Sequence, residues 1–380
     1  MSQRVLVVTR NLPPLVGGME RLVWHICDEL AHSNEVHVIG PAGCKAHLPT
    51  GITASEIPVR PLYRFLGRAA VAALSAARRL RPDVVFAGSG LTAPIAWMTA
   101  RTVGARCITY LHGLDVEAHN AIYRRVWPPL FRRCDQVLVN SRFTEGLALG
   151  VGIPKERIAI LHPGVALPDM AETKEQARSF RDRYGLGDAP LMLYVGRITP
   201  RKGLARFVDE CLPAVVDRIP NAQLVVIGDD ANQALVSAEG ELPRIRSALH
   251  REGLEHRVQF FGNLGFDDPN LQAAYSAADV LVFPVQERPG DNEGFGMVAL
   301  EAAAHGTPVV AYAVGGVPDA IADQHSGALI PPDNPERFTQ AVLAYLRNRA
   351  DPSLEKQCIE HAAHYRWQRF GQRLVRQCSL

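Results

Sequence analysis

Several signatures are missing from this 380-residue chain, and each absence closes off a class of protein. No apolar run approaches the ~20 residues that a membrane-crossing helix needs. Residues 1–10 hold one short apolar run before a turn, which reads as a strand and not as a secretory signal, so the chain is expected to be made and kept in the cytosol. The seven cysteines (27, 44, 107, 134, 211, 358 and 378) contain no C-x-x-C pair, which argues against a zinc site and a disulfide framework; most are expected to be buried as small apolar residues. There is no Gly-Lys-Ser/Thr, so no Walker A loop. Neither Gly17-Gly18 nor Gly88-Ser89-Gly90 completes the G-x-G-x-x-G fingerprint of a dinucleotide-dependent oxidoreductase. His25, His37 and His119 lack a second ligand at helical metal spacing, and Asp229-Asp230 and Asp267-Asp268 read as solvated turn carboxylates, so no metal is assigned.

What remains is an ordinary globular composition, 47% apolar and 21% charged, with a length that suits two domains. The small net charge of +2 hides a division. Residues 1–165 carry 19 Lys and Arg against 11 Asp and Glu, and residues 166–380 carry 22 against 28. A basic half can attract phosphates, an anionic membrane or nucleic acid, and it can also simply attract the acidic half.

Strand-like apolar runs recur at 4–9, 35–39, 84–87, 106–111, 136–139 and 157–161, with helical spacing between them. Residues 166–187 are polar and turn-like and read as a linker. The pattern then restarts, with strands at 190–195, 223–227, 258–262, 280–284 and 309–311. Strands alternating with helices twice over predict an α/β chain of two Rossmann-like doubly wound domains, 1–165 and 188–352, facing across a cleft. Residues 353–380 are expected to form a basic C-terminal helix, with Trp367 and Phe370 packing back on the first domain.

The distinctive residues fall at carboxyl ends of predicted strands, where ligands of such sheets bind. Gly17-Gly18 follows the first strand, His112 the strand at 106–111, Arg197 and Lys202 the strand at 190–195, and Glu293 the strand at 280–284. In residues 293–311, Glu293 precedes Gly294-Phe295-Gly296, a helix follows from Met297 with Glu301 inside it, and Gly306 closes it. Backbone N–H groups at that helix start welcome an anion. A carboxylate beside an anion site needs its own partner, and sugar hydroxyls would supply one. Arg197 and Lys202, five apart in a loop, suit a diphosphate, although an isolated basic turn is more often merely solvated.

Taken together, residues 292–311, Gly196-Arg197 with Lys202-Gly203, Gly17-Gly18, His112-Gly113, Asn140-Ser141 and Pro163-Gly164-Val165 resemble family 4 of the retaining, GT-B-fold nucleotide-sugar glycosyltransferases. The resemblance spans nearly the whole chain, with the motifs in the expected order. It implies that Glu293 holds hydroxyls of the donor sugar and Glu301 the ribose of the nucleotide. It further implies that Arg197 and Lys202 grip the donor diphosphate, that Gly17 and Gly18 let phosphate and acceptor approach, and that His112 lies near the reacting sugar. Gly294, Phe295, Gly296, Met297 and Val298 would form the loop whose backbone meets the phosphate end. His162 stands where many members have Asn. The loop at 286–292 resembles that of members acting on large or lipid-linked acceptors, such as mannosyltransferases.

The activity so implied is transfer of a hexosyl unit, of mannose or glucose type, from a GDP- or UDP-sugar to a glycan or lipid-linked acceptor, with retention and no obligatory metal or other cofactor. Its setting would be cell-surface polysaccharide, lipopolysaccharide or glycolipid assembly. A small soluble acceptor, a nucleotide-dependent oxidoreductase and a non-catalytic sugar-nucleotide binder are the alternatives. The arginines of 62–81 and the aromatic and arginine residues of 123–133 suggest a peripheral site on an anionic membrane, against the plainer reading of solvated helix faces. No nucleic-acid partner is expected.

Overall fold

Uninterrupted apolar runs such as Val5 to Val8 and Val280 to Phe283 cannot present a polar face, so they form strands covered on both sides. In the structure, a computed structural model describing residues 2–117, 121–230, 240–349 and 351–378, thirteen strands build two sheets, with runs of this kind at their centres. His119 lies outside the described residues. The chain divides into two compact units, Met1–Gly164 with Trp367–Leu380, and Val165–Arg366.

In the first unit β1 (Arg4–Val8), β2 (Glu35–Pro41), β3 (Thr53–Ile57), β4 (Val84–Ala87), β5 (Arg106–Leu111), β6 (Gln136–Val139) and β7 (Ile158–Ile160) form one sheet of order β3-β2-β1-β4-β5-β6-β7. Every pairing is parallel. In the second, β8 (Leu191–Val195), β9 (Gln223–Ile227), β10 (Val258–Phe260), β11 (Val280–Phe283), β12 (Val309–Tyr312) and β13 (Gly327–Ile330) give the order β10-β9-β8-β11-β12-β13, again parallel throughout. Both are Rossmann-like sheets. Parallel neighbours need crossover helices, and those helices bury the sheet faces.

Two strands are not legible from periodicity. β3 reads Thr-Ala-Ser-Glu-Ile and is half exposed at the sheet edge, and β13 is a four-residue edge strand that begins with glycine. β3 interleaves polar residues because one side is exposed, and β13 is too short and glycine-led to stand out as an apolar run.

The expected linker is a correction. Met170–Arg183 is a helix of the second unit, started by the Asp169 carboxylate accepting from Ala171 N at 2.8 Å. It buries Phe180, and Arg181 donates to Ala277 O and Ala189 O and pairs with Asp279. Its surface is polar because few of its side chains reach the core, which is why its composition reads as a linker. The expected single C-terminal helix is also two. Pro352–Ala363 belongs to the second unit, and only Trp367–Cys378 packs in the first. There the Trp367 ring stacks on His25 at 3.6 Å between centroids, and burial with the nearby Arg21 charge holds the His25 pKa down to about 3. All seven cysteines are free and buried. Among the described residues no helix is long and apolar enough to cross a membrane.

Candidate functional site

The second unit gathers charge at the carboxyl ends of β8 and β11. The β8 strand ends in a loop, residues 196–203, whose 3-10 turn Pro200–Lys202 leads into the helix Leu204–Glu210. The β11 strand ends in residues 284–296, which run to the helix Met297–Ala304. Two contacts bring these loops together. Gln286 N donates to Arg201 O at 2.8 Å, and Gly203 leaves the space in which Pro284 O sits.

Between them lies a buried ion cluster. Lys202 Nζ donates to Glu293 Oε2 at 2.8 Å, and Arg201 Nη1 donates to the same oxygen. Arg201 Nε also pairs with Asp291 Oδ1 at 3.1 Å. Side-chain exposure is only 9% for Arg201, 12% for Lys202 and 13% for Glu293, so the charges act on one another with little solvent screening. Burial by itself would raise the Glu293 carboxyl, but Lys202 and Arg201 outweigh it and hold the pKa down to about 2. Burial lowers the Lys202 ammonium, against the opposing pull of Glu293. The Glu293 backbone is fixed as well, its carbonyl accepting from Gly316 N at 2.8 Å.

Gly296 stands at the N-cap of Met297–Ala304 with no side-chain cap; Ala299 N donates to Gly296 O at 2.9 Å, which leaves the N–H groups of Met297 and Val298 to an anion. Phe295 is a core residue, packed near Tyr365, and can serve a ligand only through its backbone. Met297 and Val298 are half-buried. Further along the helix Glu301 Oε2 accepts from Tyr275 OH at 2.6 Å. Arg197 shares the β8 loop with Lys202 but is exposed, and its carbonyl accepts from Tyr194 OH at 3.1 Å.

In the first unit His112 ends β5 and is buried. Its Nε2 faces Gly88 O at 2.8 Å, and since a carbonyl can only accept, Nε2 carries the proton and Nδ1 of the neutral ring is the acceptor. Asp115 Oδ2 accepts from His112 N and from Gly90 N, each at 3.1 Å, and Asn140 Nδ2 donates to His112 O at 3.2 Å. Gly17 and Gly18 begin the helix Gly18–Ala31, where the buried Glu20 accepts from Asn11 Nδ2 at 2.8 Å. A side chain on Gly17 would meet Glu20 Oε2 at 2.5 Å. His162 Nδ1 lies 3.0 Å from Asn140 O.

Within the second unit, then, the structure joins Lys202 to Glu293, with Arg197 on the same loop and Glu301 on the helix that follows. Gly17, Gly18 and His112 belong to the first. Sequence reasoning missed Arg201, Asp291, Tyr275 and Asp115 as supporting partners, and named Asn140 only as part of a motif. The one available signal was that Arg201 adjoins Lys202. The link from Arg201 to Glu293 crosses 92 positions and leaves no local pattern.

Comparison with known proteins bears on the family and the fold. Residues 189–348 match the family described as Glycosyl transferases group 1, and residues 16–167 match Glycosyltransferase Family 4. A GDP-mannose-dependent alpha-(1-6)-phosphatidylinositol monomannoside mannosyltransferase of Mycolicibacterium smegmatis is 30% identical over 359 residues, 92% of this chain and 90% of that protein. A D-inositol 3-phosphate glycosyltransferase of Streptomyces bingchenggensis is 31% identical over 308 residues, 76% of this chain and 63% of that protein. Among solved structures, HepE of Anabaena in complex with UDP superposes with a TM-score of 0.80 at 19% identity, covering 98% of each chain.

Two Rossmann-like units with these neighbours define a GT-B-fold glycosyltransferase. The chain belongs to the family 4, group 1 glycosyltransferases.

Proposed function

We propose that the protein is a retaining hexosyltransferase that moves a mannose- or glucose-type unit from a GDP- or UDP-sugar to a glycan or lipid-linked acceptor in cell-surface polysaccharide, lipopolysaccharide or glycolipid assembly. The observation that carries this reading is the Lys202–Glu293–Arg201 cluster, whose Glu293 stands on the loop before the uncapped helix start at Gly296. It offers the Lys202 ammonium and backbone N–H groups for a diphosphate beside a carboxylate that its cationic partners keep ionised for sugar hydroxyls. The sugar and base classes are supported by the mannosyltransferase relative and by the UDP carried by HepE.

In this reading Arg197, Lys202 and the helix dipole stabilise charge on the departing diphosphate, Glu293 holds the sugar, and Glu301, oriented by Tyr275, holds the ribose. The acceptor hydroxyl attacks on the face from which the diphosphate leaves. The leaving phosphate takes its proton, so no separate general base is required. His112 Nδ1 accepts a hydrogen bond from the reacting sugar, and the Gly17-Gly18 loop lets phosphate and acceptor approach. The positive charge comes from the protein, so turnover is proposed to need no metal.

A panel of UDP- and GDP-sugars tests the reading. A cognate donor at a hundred times its Kd should stabilise the native state by ~2.7 kcal/mol, seen as a raised Tm. Turnover with acceptor should release nucleoside diphosphate, and NMR of the product should show the anomeric configuration of the donor. No stabilisation by any donor and no release would refute it. A soluble acceptor is the second reading, favoured by the relatives named for D-inositol 3-phosphate.

A peripheral place on the cytoplasmic face of a membrane is proposed with it. The helix Leu62–Leu80 buries Phe65, Ala69, Ala73, Ala76 and Ala77, yet leaves Tyr63 and Val71 exposed beside Arg64, Arg68, Arg78 and Arg79. Ala121–Phe131 likewise exposes Ile122 and Val126 beside Arg124 and Arg125, with Arg132 and Arg133 just after it. Apolar side chains set among arginines suit an anionic lipid surface. Reversing the charge of Arg124, Arg125, Arg132 and Arg133 should lower binding to acidic liposomes at least tenfold at low salt, taking about 1 kcal/mol per basic residue. Wild-type protein that fails to sediment with such liposomes would sink the membrane placement alone.

A further inference from the structure

Arg201 has no part in the donor site as drawn so far, yet it is tied to the β11 loop at three places. Its carbonyl accepts from Gln286 N, its Nε pairs with Asp291 Oδ1, and its Nη1 donates to Glu293 Oε2. Those attachments span the loop from just after β11 to the carboxylate itself. The planar guanidinium fork holds two carboxylates in a fixed relative orientation, which the freely rotating ammonium of lysine does not. Arg201 and Lys202 both donate to Oε2, and Oε1 accepts no hydrogen bond among the described residues. A carboxylate oxygen with no protein donor is an acceptor open to the hydroxyl of a ligand.

We propose that Arg201 is a positioning residue for donor recognition: by tying Asp291 and Glu293 to the Lys202 loop, it orients Glu293 so that Oε1 is offered to hydroxyls of the donor sugar. This rests on the donor-binding reading above. Arg201 acts through Glu293, its Nε and Nη1 each engaged with a carboxylate. Lys202, with three donors on one nitrogen, can keep Glu293 and still meet a phosphate oxygen.

The division of labour separates sugar recognition from diphosphate recognition. Arg201→Lys keeps the positive charge and loses the fork, and Asp291→Asn releases one arm at a half-exposed carboxylate, where misfolding is not expected. Calorimetric titration of the full chain should use UDP, GDP and the panel of UDP- and GDP-sugars. For the nucleotide pair that the wild type binds, Arg201→Lys should weaken the sugar nucleotide about tenfold and the bare nucleoside diphosphate less than about threefold. Asp291→Asn should shift the same ratio in the same sense by about threefold. Equal weakening of both ligands, or an unchanged ratio in both variants, overturns the positioning role and leaves donor binding standing. If Arg201→Lys does not fold, the Asp291→Asn ratio decides by itself. Wild-type protein that binds none of the panel overturns the donor reading, and this inference with it.

Discussion

Glu293→Gln should lower kcat/KM for sugar transfer by about 10- to 100-fold, the worth of one charge-assisted hydrogen bond, and should destabilise the second unit by about 3 kcal/mol. Both effects come from the same carboxylate, Oε2 holding the cations and Oε1 offered to the sugar. In the native cluster Oε2 neutralises Lys202 and Arg201, which are nearly inaccessible to water. An amide of the same shape leaves two buried cations facing Asp291 alone, and removal of one partner from a buried ion pair is far more damaging than never having built it. Chemical denaturation reads the stability, and release of nucleoside diphosphate reads the turnover. The same carboxylate sets an acid limit. Its pKa is depressed from 4.5 to about 2, so its contribution to stability is fully present above pH 4.5 and disappears as the pH falls towards 2. The variant should show a flatter acid limb across that window. Glu301→Ala, by contrast, should chiefly weaken nucleotide binding, since Glu301 is bonded to Tyr275 and lies outside the cation cluster. Equal, unselective losses from both variants would reduce residues 293–311 to a structural role.

Gly203→Ala should destabilise the second unit by roughly 3 kcal/mol and abolish detectable donor binding. Gly203 has φ of 75°, and a methyl group there would lie 1.9 Å from Pro284 O. The left-handed backbone alone costs about 1–2 kcal/mol for a residue with a Cβ. The remainder comes from a carbonyl oxygen that cannot rotate away, because Gln286 N, two residues on, is already bonded to Arg201 O. The opposing gain, a less flexible unfolded chain, is only about 0.4–1 kcal/mol. Gly253 provides the control. It has φ of 66° with open space around its Cβ position, so Gly253→Ala should show the backbone penalty alone. Because the clash would part the 196–203 loop from the 284–296 loop, only Gly203→Ala should also lose the Tm rise given by donor nucleotide. Matching melting curves for the two variants would contradict the close approach of the loops.

Much of this arrangement was legible from local signals. A doubly buried parallel strand writes itself as a short apolar run, so the central strands were visible, whereas the edge strands β3 and β13 were not. Residues 170–183 misled for a related reason: the helix is tied down largely by Phe180 and by Arg181 reaching backbone carbonyls, and composition cannot distinguish that from a solvated linker. The C-terminal segment carried the right aromatic residues, Trp367 and Phe370, but not the break at residues 364–366 that gives its two helices to different units.

The sequence alone determined the two α/β repeats, the family, and the positions of Lys202, Glu293 and Glu301 at strand ends and on a helix, because strand periods, glycine turns and helix starts depend on neighbours close in the chain. Only the tertiary structure decided the partners: Arg201 and Lys202 on one oxygen of Glu293, Asp291 on the other arm of Arg201, Tyr275 on Glu301, and Asp115, Asn140 and Gly88 around His112. Several of these pairs lie tens of residues apart in the chain. Parallel strands bring their carboxyl ends together whatever the length of the crossover between them, so the partner of a charged residue is set by strand order, which no local pattern encodes.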